Sequence, residues 1–132
     1  MNKLSDKDIE LINIAKKAIS KNYDKDNFKH TVGSAVRCKS GKVYIGVNVY
    51  SVLGACAEMI AIGSAISSGE REFECIVAVR GESGEEILAP CGNCRQLLND
   101  YMPHGDVIIN TLEGARMVKV SELLPYAYCV EN

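Results

Sequence analysis

Apolar residues recur at Ile9, Leu11, Ile12, Ala15, Ala18 and Ile19 behind Ser5 and Asp6, a spacing that turns one stripe inward and predicts an amphipathic first helix ending before Asn22. From Thr31 the period shortens to two. Residues 31–37 and 43–49 predict two strands of a hairpin about a turn at Ser40 and Gly41, with Val43, Ile45, Val47 and Val49 alternating against Tyr44, Gly46 and Asn48. Gly54 breaks the chain, and residues 55–68, rich in Ala, Ile and Met, predict a largely buried helix. The compact apolar run 75–80 predicts another strand, followed by a turn over 82–86. Pro90 stands just ahead of a helix over 91–101, where its missing N–H costs nothing. Residues 107–110 and 117–120 predict short strands around a turn at Gly114, and 121–124 a last helical turn. This alternation predicts the α/β class, a mixed sheet of about five strands with helices on both faces.

A chain of 132 residues, 47% of them apolar, suits a single domain with one core and is too short for two. The formal charge is −2 and no Lys/Arg block occurs, which argues against a nucleic-acid or anionic-membrane partner and for a small solute. The N-terminal residues carry scattered charge with no apolar targeting core, and no run approaches a membrane span, so a cytoplasmic protein is expected. The same features leave disulfides a poor account of the six cysteines. Cys38, Cys75 and Cys129 are expected to be reduced thiols that behave as small hydrophobes.

The other three cysteines form a pattern. Cys56-Ala57-Glu58 is followed 35 positions after Cys56 by Cys91, in the run Pro90-Cys91-Gly92-Asn93-Cys94-Arg95-Gln96. Cys91 and Cys94 are three apart and share a helix face, so they can grip one ion, and Cys56 stands near the start of its own helix. Two positive helix ends would then face the thiolates and favour them. Three protein ligands leave one coordination position for water, the mark of a catalytic rather than a structural zinc site. Closing the tetrahedron would need a fourth ligand. The two histidines, His30 and His104, are at no ligand spacing from a cysteine. Glu58, in the first turn, is the candidate proton carrier, and Arg95 a candidate to offset thiolate charge by donating to a cysteine sulfur.

These residues carry a resemblance to the cytidine deaminase superfamily, and within it to the blasticidin S deaminases. It rests on Gly46-Val-Asn-Val-Tyr50, Gly54-Ala-Cys-Ala-Glu58, Ile76-Val-Ala-Val79, Pro90-Cys-Gly-Asn-Cys-Arg-Gln-Leu-Leu98 and Glu122-Leu-Leu-Pro125. The resemblance implies a three-layer α/β/α sandwich, a homotetramer, one Zn²⁺ per chain on Cys56, Cys91 and Cys94, and Glu58 as proton shuttle. It implies hydrolytic conversion of a cytosine moiety to uracil, with ammonia released, in a small nucleoside or nucleoside-like compound. Substrate contacts would fall to Asn48, Tyr50, Ala57, His30 and Tyr128. Nucleoside deaminases of the family have Glu where Tyr50 stands, and a phenol does not accept hydrogen bonds as a carboxylate does. The competing reading is a zinc-stabilised binding or assembly protein of the same fold without catalysis.

Overall fold

The computed structural model describes residues 2–130. Its elements, in order, are α1 (Asp6–Asn22), β1 (Val32–Cys38), β2 (Val43–Val47), α2 (Ala57–Ser67), β3 (Phe73–Arg80), β4 (Glu86–Leu88), α3 (Gly92–Tyr101), β5 (Asp106–Thr111), β6 (Gly114–Lys119) and α4 (Val120–Leu123). One mixed sheet runs β2-β1-β3-β5-β6, with β4 paired to β3. Only β3 and β5 pair in parallel among the described residues.

Alternation along the strands builds two cores. On one face Ala35, Cys75, Val77, Val79 and Ile108 meet Leu11, Ile12, Ala15 and Ile19 of α1. On the other, Val36, Cys38, Phe73, Ile76 and Val107 meet Ala61, Ile62 and Ala65 of α2 and Leu98 of α3. β3 is therefore apolar almost without a break, as a central strand covered on both faces must be. The result is the expected three-layer α/β/α sandwich, with six strands rather than about five. The additional strand, β4, is three residues long, too short for any period to show.

Two glycines set how closely helices approach. A Cβ on Gly46 of β2 would lie 2.4 Å from Ala61 N and 2.7 Å from Ala57 O, so its absence lets α2 rest on the strand backbone. Gly33 does the same for α1, where a Cβ would meet Ala15 O at 2.6 Å. The second strand ends two residues earlier than its alternation predicts, at Val47. There the Asn48 side chain takes over backbone groups of the neighbouring strand, accepting the N–H groups of Thr31 and Val32. No described helix is long and apolar enough to cross a membrane.

Candidate active site

The Gly46 contact seats α2 so that its first turn emerges at the sheet end where β3 pairs with β4. Cys56 is the N-cap of α2, with extended backbone, and Cys91 is the N-cap of α3. Cys94 follows in the first turn of α3, fully buried. The three sulfurs lie within 4.8 Å of one another, and those of Cys56 and Cys91 are 3.5 Å apart. Two helix N-termini thus converge on one cluster of thiols, the charge arrangement that thiolates and their metal need.

Each thiol differs in its surroundings. Burial and then the neighbouring Cys91 thiol push Cys56 up, while burial and the Glu58 carboxylate push Cys94 up strongly. Burial works against Cys91 too, but the backbone N–H groups of Cys94 and Asn93, with the Cys56 and Cys94 thiols, outweigh it and lower its pKa. The donor set fits zinc. Three soft sulfurs are already gathered, and among the described residues no fourth His, Cys, Asp or Glu joins the cluster, so a coordination position stays open.

Glu58 is the second residue of α2 and only 6% exposed. Burial raises its pKa, against the opposing influence of its own backbone N–H and the Cys94 thiol. It opens with Cys56 and Cys91 on one cavity of about 370 Å³, walled also by Val32, Asn48, Tyr50, Ala57, Leu88 and Asn93. That volume suits a compact heterocycle with a small substituent.

Of the residues expected around a substrate, Asn48, Tyr50 and Ala57 border this cavity. His30 instead faces the Asn48 carbonyl at 2.8 Å, and the Tyr128 side chain is largely exposed, its carbonyl accepting from Gln96 Nε2. Arg95 donates from Nε to Pro90 O (2.8 Å) and from Nη1 to Leu123 O (3.1 Å) rather than to a sulfur. It ties the residue before Cys91 to α4. The walls supplied by Val32, Leu88 and Ala89 escaped sequence reasoning because they are plain apolar strand ends. Only the nearness of Leu88 and Ala89 to Cys91 hinted at them.

Residues 5–111 match the sequence family described as the cytidine and deoxycytidylate deaminase zinc-binding region. The chain is 40% identical to a blasticidin-S deaminase of Bacillus cereus, over 95% of its own length and 94% of that protein's. It is 34% identical to a cytidine deaminase of Sporosarcina psychrophila, over 79% of each. Among solved structures it is similar to the cytidine deaminase of Burkholderia pseudomallei, with a TM-score of 0.73 and 32% identity over 90% of this chain and 98% of that one. It is also similar to that of Mycobacterium tuberculosis, with a TM-score of 0.75 and 26% identity over 92% and 97%.

Proposed function

Since the chain belongs to the cytidine and deoxycytidylate deaminase family, we propose that it hydrolyses the exocyclic amine of cytosine in a small nucleoside or nucleoside-like compound, giving uracil and ammonia. The carrying observation is a cluster of three thiols, two of which open with a buried carboxylate on one cavity. In this reading Cys56, Cys91 and Cys94 hold one zinc ion. Zinc so bound supplies Lewis acidity that makes hydroxide available near neutral pH. The chain's own residues supply the rest. Glu58 takes one proton from the attacking water and delivers it to ring N3 as oxygen bonds to C4. It then takes the second proton from that C4 hydroxyl and passes it to the amine, so that the C4–N bond breaks and a C4 carbonyl forms. Its burial favours the protonated form and so suits a group that must hold a proton between two transfers. Asn48 and Tyr50 line the cavity and in this reading would meet the substituent on the base.

Tyr50 bears on which substituent that is. Its side chain stands at the cavity rim, 70% exposed, with a phenol hydroxyl where a carboxylate would grip ribose hydroxyls. A cytosine compound with an altered sugar, as in blasticidin S, is favoured over cytidine. The protein acts in the cytoplasm as a homotetramer in this reading, without nucleic-acid or membrane partners.

Ammonia release from cytidine, deoxycytidine and blasticidin S, measured in parallel with zinc content, tests the proposal. Expected are about one zinc per chain, loss of turnover on chelation with recovery on zinc addition, and the highest kcat/KM on the compound with the altered sugar. Zinc without deamination of any cytosine compound would favour the non-catalytic reading.

A further inference from the structure

Asn48 stands where β1 and β2 part, and its hydrogen bonds reach four successive residues. Its N–H donates to Val32 O at 3.2 Å, and its Oδ1 accepts the N–H groups of Thr31 at 2.8 Å and Val32 at 3.0 Å. Its Nδ2 lies 3.4 Å from Lys29 O, and its own carbonyl lies 2.8 Å from His30 Nδ1. A carbonyl oxygen only accepts, so Nδ1 carries the proton in neutral imidazole and imidazolium alike. Neutral His30 is therefore the Nδ1–H tautomer with Nε2 bare.

His30 is not among the residues lining the cavity, whereas Asn48, Val49, Tyr50, Ser51 and Leu53 are. The loop carrying the last three is closed on itself, because Val49 N–H donates to Ala55 O at 2.9 Å and Ala55 N–H to Val49 O at 3.0 Å. One end of that closure hangs from Asn48. The direction of the Asn48 peptide therefore sets where Tyr50 and its neighbours meet a substrate, and the imidazole is the group that holds its carbonyl.

We infer that His30 is a positioning residue for the proposed deamination, fixing the wall formed by residues 48–51 and Leu53 through its Nδ1–H bond to the Asn48 carbonyl. This rests on the reaction proposed above. Glu58 and the thiols stand on other elements, so the effect falls on substrate binding more than on the chemical step.

Three replacements separate the hydrogen bond from the ring. His30→Asn places an amide N–H where Nδ1–H stands, His30→Gln places it where Nε2 stands, and His30→Phe keeps the ring without a donor. His30→Phe and His30→Gln should raise KM for a cytosine nucleoside about tenfold, the scale of one net hydrogen bond, with kcat reduced less than about threefold. His30→Asn should recover most of that loss. Nitrogen-15 spectra of wild type should show neutral His30 protonated at Nδ1, and amide exchange at Val49 and Ala55 should quicken in His30→Phe but not in His30→Asn. Wild-type KM and unchanged exchange in His30→Phe, or a neutral Nε2–H tautomer, would overturn the inference. A wild type inactive on every cytosine compound would instead refute the proposed reaction, and the nitrogen shifts and exchange rates would still decide the clasp.

Discussion

Glu58 sits two residues past Cys56 on α2, in the one turn where a side chain can lean beyond the helix end toward a cluster built on its N-cap. One turn further along, the helix would carry it to another side. Its position gives it reach to the cavity, and its burial gives it a raised pKa. Glu58→Gln keeps the size and removes the ability to carry a proton. The variant should retain zinc and wild-type thermal stability while kcat falls at least about a hundredfold, the usual contribution of a general acid–base group. Retention of more than about a tenth of the activity, measured as ammonia release, would remove Glu58 from its role. The thiols and this carboxylate were legible in the sequence because covalent spacing alone brings Cys91 near Cys94 and Glu58 near Cys56. Arg95 was expected at a sulfur and bonds Pro90 and Leu123 instead. The second partner is 28 positions away, and only the docking of α4 brings it close.

Between elements, the site depends on two dockings that differ in kind. α2 is seated by an absence. Gly46→Ala would thrust a methyl into the backbone of Ala57 and Ala61, within 2.4 to 2.7 Å, and no flexible side chain is there to yield. Overpacking of this sort costs about 1–3 kcal/mol. Because the displaced backbone includes the first turn of α2, zinc affinity and kcat should fall together with the urea midpoint, whereas Gly63→Ala, with open space about it, should lower none of the three. α1 is held by charge as well as by its apolar stripe. Asp8, nearly buried, accepts from Ser5 N–H and Oγ, each at 2.9 Å, and from Arg37 Nη2 at 3.1 Å. Burial opposes ionisation, yet these partners bring its pKa below the ordinary 3.8. A depressed folded-state pKa means that the stabilisation is full above about pH 4 and is lost as pH falls through the folded value. Asp8→Asn should therefore lower unfolding free energy by about 1.5–3 kcal/mol at pH 7, and its deficit relative to wild type should shrink by pH 3. A deficit equal at both pH values would show that the carboxylate's charge contributes nothing. The stripe on α1 was plain in the sequence. The Asp8–Arg37 pair was not, since Arg37 falls 29 positions later on β1 and no periodicity links them.

The whole molecule places its chemistry at one end of the sheet, where β2 leads into α2 and β4 leads into α3, so that two helices begin side by side. The same end carries apolar side chains that this chain leaves uncovered. Val52 and Leu53 are fully exposed, Tyr50 largely so and Val49 less than half; Tyr126, Tyr128 and Val130 are also exposed, near the end of the described residues. A chain of 132 residues encloses a small core for its surface, and association is the means by which such surface is removed from water. The layer architecture followed from alternating strands and helices. Which surfaces would serve the proposed association did not, because single exposed apolar residues are common on monomers and only their clustering on one loop in space is informative. For the homotetramer proposed above, light scattering at micromolar concentration should report about four times the 14.4 kDa of one chain. Val52 does not line the cavity, so Val52→Lys separates assembly from direct contact with substrate. A lysine buried in an interface costs several kcal/mol of desolvation, enough to shift micromolar protein to smaller species. Activity should fall with the fraction of tetramer and recover as protein concentration rises. A 14.4 kDa species that is fully active at every concentration would show that the exposed loop serves the single chain alone.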